Sequence, residues 1–173
     1  MKLPNIKIKE KIPSIFRSIV FFSAFILFYC YGVRLSVVNG ESMMPYYEDG
    51  QILLINQTKK ITKDYNRFDV VIFKSTELNM YLIKRIIGVP GDTIQIKQGL
   101  VYINDHLLEE NKTHELMNTA GLAENKITLK EGEYFMLGDN RNGSMDSRDF
   151  GVISDKDIIG TVYFSIIPFK PTN

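Results

Sequence analysis

Cysteine is almost absent from this chain. The single Cys30 lies inside an apolar run, so no intrachain disulfide is available to hold the fold. Histidine is nearly as scarce: only His106 and His114 occur, both in the polar stretch HLLEENKTHEL, and no Cys or His cluster has zinc spacing. Their surroundings read as exposed loop, so neither is an obvious base for a catalytic hydroxyl. A large excess of one charge is also missing. The formal net charge is +1, and outside the N-terminus nothing in it points to nucleic acid. There is no internal repeat and no low-complexity run, and an apolar content of 45% excludes a disordered chain. Its 173 residues suffice for one domain with a core.

What is present is unevenly placed. Lys2, Lys7, Lys9, Lys11 and Arg17 stand against Glu10 alone at the start of the chain. There follows SIVFFSAFILFYCYGV, Ser18 to Val33, 16 residues without a charge. As a helix it spans about 24 Å, somewhat short of the ~30 Å hydrocarbon core. Snorkelling of Arg17 and Arg34 lets the apolar flanks lengthen it. An all-round apolar surface argues against a core helix, and no A-x-A-like site follows for signal cleavage. The expectation is a single transmembrane anchor over 15–36. The basic excess places 1–14 in the cytoplasm, and 37–173 then lie beyond the membrane.

Beyond the anchor the sequence reads as strands. QILLIN (51–56), DVVIF (69–73), YLIKRIIGV (81–89), TIQIK (93–97), LVYIN (100–104), EYFMLG (133–138) and IIGTVYFSII (158–167) are short and rich in Ile and Val. Pro90-Gly91 suits a type II turn and Lys97-Gln98-Gly99 a tight hairpin. The stretch from about 105 to 130 is polar and pattern-poor, as in a small insertion. The fold class expected is mainly β: a transmembrane helix followed by an antiparallel sheet or barrel-like catalytic domain with that insertion.

Chemistry concentrates in three places. Ser42, in GESMMPYYEDG, is inert as a nucleophile unless a base stands beside it. With no plausible histidine, lysine is the next candidate, provided desolvation lowers its pKa. Lys84, flanked on its strand face by Leu82 and Ile86, is best placed, although an edge-strand lysine that deters aggregation fits the same pattern. Arg85 lies between Ile83 and Ile87 on the other face, but arginine cannot serve as a base. The third place is GDNRNGSMDSRDFG (138–151). It reads as a turn-rich loop, and its spacing fails for a calcium loop. Asp146 and Arg148, two apart, are positioned to pair if that part is extended.

Four stretches in order, GESMMP (40–45), RFDVVIF (67–73), KRIIGVPGD (84–92) and GDNRNGSMDSRDFG (138–151), resemble the motifs of bacterial type I signal peptidases, membrane-bound serine proteases with a Ser/Lys dyad. The resemblance implies Ser42 as nucleophile, Lys84 as general base and Ser144 as a hydrogen-bond partner of Lys84. It implies Asp139, Arg141, Asp146 and Arg148 as support of their loop, and Met43 and Met44 as residues near the membrane surface. Gly40 occupies the place where many Gram-negative members carry an oxyanion-binding serine, which leaves backbone N–H groups, that of Ser42 included, to form the oxyanion hole. Tyr46 stands where threonine is common. No metal or cofactor is implied. The partners implied are preprotein signal peptides cut after small residues (A-x-A-like), the lipid bilayer of the cell membrane and the nearby export machinery. The N-terminus would be cytoplasmic and the catalytic domain on the outer face. A catalytically silent, membrane-tethered homologue that binds exported chains is the alternative. A soluble self-cleaving repressor-type peptidase fits less well, because the anchor is present and a DNA-binding helical domain is not.

Overall fold

The computed structural model describes residues 14–110 and 115–166, the side chains of 27–31 excepted; His114 and nearly all of the basic N-terminus lie outside the described residues. The chain opens with helix α1 (Ser14–Tyr31), whose Ile15, Phe16, Ile19, Phe21 and Phe22 are all exposed. Strand β1 (Val33–Val37) follows almost at once and pairs with β2 (Ile52–Asn56) in register Val33↔Asn56 to Val37↔Ile52. The short helix α2 (Lys59–Thr62) leads to β3 (Val70–Ser75) and β4 (Met80–Gly88). Next come β5 (Thr93–Lys97), β6 (Leu100–Ile103), β7 (His106–Leu107), a 3-10 turn (Gly121–Glu124) and β8 (Ile127–Thr128). The chain returns through β9 (Glu133–Leu137), helix α3 (Ser147–Phe150), β10 (Ile153–Ser154) and β11 (Ile158–Ile166).

All strand pairs are antiparallel. One sheet has the order β1-β2-β11-β3-β4-β9-β10 and a second has β7-β6-β5-β8. The turns form where local chemistry provides for them. Gln98 and Gly99 both take positive φ in the β5–β6 hairpin, and Gly91 does so after Pro90. Period-2 burial in β2 and β5 turns one face of each strand inward. Three apolar clusters result. One joins the two sheets through Ile87, Ile94, Ile103, Phe135 and Leu137. A second packs Val71, Phe73, Ile86 and Met136 with Ile158. The third, Val38, Met43, Leu53, Ile55, Ile72 and Ile83, lies beneath the serine turn.

Three expectations are corrected here. Among the described residues no helix is long and apolar enough to cross a membrane. The helix ends at Tyr31, and most of the last residues assigned to the anchor, Val33 to Ser36, are captured by pairing with β2. The large sheet is not closed into a barrel, since its end strands β1 and β10 each have one strand neighbour among the described residues. The insertion is larger than 105–130: β5 and β6 belong to the small sheet, so the departure from the main sheet begins at Thr93.

Candidate active site

Ser42 sits on the loop that joins β1 to β2. The hairpin continues past the strands, with Val38 N–H donating to Gln51 O (2.8 Å) and Gly50 N–H to Val38 O (2.9 Å). Inside it Met44 N–H donates to Glu41 O, and Tyr46 and Tyr47 N–H both donate to Met43 O, which fixes a compact turn around the serine. Met43 is 0% exposed in the third apolar cluster. Its expected place near a membrane surface is therefore incorrect: the residue beside the serine is the plug that anchors the turn to the core. Met44 points outward and is exposed.

Strand β4 supplies the amine. Lys84 is 2% exposed, and its Nζ lies 2.7 Å from Ser42 Oγ. Burial lowers its pKa to about 8, while Asp146 and Asp139 pull it upward. The upward pull is restrained because both carboxylates are engaged elsewhere. Asp139 accepts from Arg85 Nε (2.7 Å) and Nη2 (2.6 Å), and Asp146 accepts from Arg148 Nε and Nη2, both at 2.9 Å. All four of these side chains are buried. Such forked pairs satisfy a buried guanidinium as no single contact does.

The 138–146 loop ties these parts together. Asn140 N–H donates to Ser42 O (3.0 Å) and its side-chain amide to Glu41 O (3.3 Å), a direct clamp on the serine turn. Arg141 is held by Gly138 O and by a forked pair with Glu110, while Arg148 also donates to Arg141 O (2.6 Å). Asp146 acts as N-cap of α3 in a capping box with Asp149. The pairing with Arg148 that the sequence allowed is present, with Asp146 itself extended and Arg148 in the first turn of α3. Ser144 Oγ is directed to Met145 O at 3.5 Å and makes no hydrogen bond to Lys84, contrary to expectation. Gly40 adopts φ +93°, a left-handed conformation that favours glycine, and its N–H is taken by Asp49 Oδ1 (2.7 Å). His106 is exposed on β7, as expected. Arg85, Asn140 and Glu110 were not foreseen as site residues. For Arg85 a signal existed, since an arginine in an apolar strand requires a carboxylate.

Beside Ser42 a cleft of about 280 Å³ is lined by Ser36, Val38, Leu53, Ile72, Ile83 and Lys84, among others. Its walls are the end of β1 with the residues after it, and residues 80–84 of β4. Both edges are unpaired among the described residues: β1 pairs only with β2, and β4 meets β9 only from Arg85 onward.

Comparison with known proteins matches residues 8–167 to the family described as signal peptidase, peptidase S26. A signal peptidase I of Bacillus licheniformis is 38% identical over 142 residues, which is 78% of this chain and 76% of that protein. Signal peptidase I T of Bacillus subtilis (strain 168) is 35% identical over 142 residues, 78% of this chain and 74% of the relative. A crystal structure of a signal peptidase I from Enterococcus faecalis V583 has 31% identity and a TM-score of 0.49, covering 57% of this chain and 97% of its own.

Proposed function

The chain belongs to the signal peptidase family, peptidase S26, and is a serine peptidase; from that premise we propose that it removes signal peptides from exported preproteins with Ser42 as nucleophile and Lys84 as general base. The observation that carries the assignment is the 2.7 Å approach of a buried, pKa-lowered amine to a serine hydroxyl. Each step follows from that pair. The cleavage segment of a preprotein enters the cleft in extended form, between the unpaired edges of β1 and β4. Neutral Lys84 takes the Ser42 proton as Oγ bonds to the scissile carbonyl carbon. The backbone N–H of Ser42 faces the developing oxyanion, with no side chain at Gly40 to assist. The ammonium then gives its proton to the leaving amine as the C–N bond breaks. Water, deprotonated by the same lysine, hydrolyses the acyl-enzyme. The apolar floor of Leu53, Ile72 and Ile83 suits small side chains, in keeping with cleavage after A-x-A-like sequences.

Support of the site falls to Arg85–Asp139 and Arg148–Asp146, with Arg141 braced by Glu110. Membrane attachment belongs to the same proposal. The exposed apolar surface of α1 is suited to lipid, with the catalytic domain, from β1 onward, on the outer face of the cell membrane. Confinement to the surface in which signal peptides lie raises the effective concentration of substrate.

The test is cleavage of a preprotein by the full-length chain and by Ser42→Ala and Lys84→Ala. Wild type is expected to release the signal peptide, and both variants to lose at least about a thousandfold in kcat/KM. A variant that cleaves as wild type does would remove its residue from the mechanism. A wild type that binds preproteins and cuts none would favour the silent homologue.

A further inference from the structure

Asn140 grips the serine turn at two carbonyls. Its backbone N–H donates to Ser42 O (3.0 Å), and its side-chain Nδ2 donates to Glu41 O (3.3 Å). The second contact bears on one particular peptide. Glu41 C=O and Ser42 N–H belong to the same unit, which is trans and planar, so its oxygen and its N–H point opposite ways. A donor that fixes the oxygen therefore fixes the direction of the Ser42 N–H. Met44 N–H also donates to Glu41 O (3.1 Å), but from within the turn itself, whereas Asn140 reaches it from the 138–146 loop.

The amide is itself held in one orientation. Gly143 N–H donates to Asn140 Oδ1 (3.0 Å), which leaves Nδ2 as the end turned to Glu41 O. Gly143 also closes over the amide: a Cβ there would lie 2.5 Å from Nδ2 and 2.9 Å from Cγ. Gly40 has no side-chain donor to add, and its N–H is engaged by Asp49 Oδ1 (2.7 Å). A carbonyl that accepts hydrogen bonds makes the N–H at the far end of its peptide a stronger donor.

Accepting Ser42 N–H as an oxyanion donor, on which this step rests, we infer that Asn140 is a positioning residue of the oxyanion hole. Through Glu41 O it aims and polarises the N–H that meets the tetrahedral oxygen. It acts through the peptide of Ser42, not through the Lys84 amine. An oxyanion donor works only when it is already aimed at the place where charge develops. A peptide free to rock therefore loses transition-state binding and little ground-state binding.

The experiment uses the full-length chain and two peptides of one preprotein cleavage sequence. One ends in an aldehyde, across whose C=O the Ser42 hydroxyl adds to form a hemiacetal with its oxygen in the hole. The other ends in the corresponding alcohol and forms no such bond. The quantity read is the ratio of their inhibition constants, beside kcat and KM on a preprotein. Asn140→Ala removes the side-chain donor and keeps the backbone N–H. It is expected to lower kcat about ten- to a hundredfold with KM within about twofold of wild type. It should weaken the aldehyde by about tenfold or more and leave the alcohol as it was. Gly143→Ala keeps Asn140 in the chain but displaces its amide, and should give the same pattern. The pH at which kcat/KM rises should match wild type in both variants. Equal weakening of aldehyde and alcohol, a shifted pH midpoint, or wild-type kcat in both variants overturns the inference. Failure of the underlying reading looks different: Ser42→Ala would bind the aldehyde as tightly as wild type does, or wild type would not distinguish aldehyde from alcohol.

Discussion

At Lys84 an amine that water would hold protonated is almost wholly buried, and burial brings its pKa from 10.5 to about 8 against the opposing pull of Asp146 and Asp139. A general base acts only in its neutral form. The kcat/KM of the free enzyme should therefore rise with pH through about 8 and level off above it. A limb near 6.5, the range of histidine, would point to another base. Stability carries the same shift with a definite sign. Below about pH 8 the residue is charged in both folded and unfolded chains, and the folded state bears the full cost of burying it. Between about 8 and 10.5 the unfolded chain holds more protons, so stability rises with pH across that window. Lys84→Met should accordingly stabilise the fold at pH 7 by up to roughly 3 kcal/mol. The gain should shrink as pH passes through the window, as followed by urea unfolding at several pH values. Periodicity does not separate Lys84 from Arg85, because both lie in the same apolar run; in the sequence only the inability of arginine to act as a base does. What divides them is the partner each finds: a hydroxyl 42 residues away for the lysine and a carboxylate 54 residues away for the arginine. No local pattern encodes either.

The 138–146 loop holds the serine turn through close approach as well as hydrogen bonds. A Cβ at Gly138 would lie 2.2 Å from Ser144 Oγ and 2.6 Å from the carbonyl oxygen of Ser42. Gly138→Ala must push aside the main chain of Ser42, the proposed nucleophile, and a displacement of about 1 Å at a reacting atom costs on the order of a hundredfold in kcat. Measurement of kcat and KM on one preprotein checks this, with the loss expected mainly in kcat. Asp139→Ala acts differently. It leaves the buried Arg85 guanidinium without its carboxylate, which should cost about 3–5 kcal/mol of unfolding free energy in a urea titration. Most of the longer strands were legible in the sequence. TIQIK is β5 residue for residue, and the elements read at 51–56, 69–73, 81–89 and 133–138 recur within two residues. Strand β1 was not: VRLSV alternates apolar and polar residues, but it follows the greasy run directly and is absorbed into it. Sheet membership was equally hidden. β5 and β6 look like any other half-buried strands, and only Gly88 reveals the crossing, since a Cβ there would strike Ile94 and Leu129. Glu110 lay in the stretch without pattern, and its value appears only when Arg141 folds onto it.

For the membrane attachment proposed above, the whole molecule offers a surface on the outer face of its large sheet. Leu35, Leu54 and Phe164 stand side by side across β1, β2 and β11, and Val37, Ile52 and Ile166 form a second row beside them. Leu35, Val37, Phe164 and Ile166 are exposed. Flanking strands that carry paired apolar side chains toward the outside make a patch of the kind that marks a contact surface. Helix α1 ends at Tyr31 and β1 begins at Val33, so the exposed helix and this ladder are neighbours by connectivity alone. A bilayer that receives the helix thus meets the ladder next, and the serine turn follows on the same hairpin. The methionines at 43 and 44 cannot test this, because aspartate at the fully buried Met43 would disrupt the core before it altered lipid contact. The paired change Leu35→Asp and Phe164→Asp leaves that core intact. In a chain starting at Gly32, binding to phospholipid vesicles should fall on the order of a hundredfold, given about 1.5–3 kcal/mol for each large apolar side chain withdrawn from water. Sedimentation with vesicles measures it, and cleavage of a short soluble peptide by the same variant reports whether the site has stayed whole. Vesicle binding equal to that of the unaltered chain would move the lipid contact away from this face and leave α1 to supply it alone.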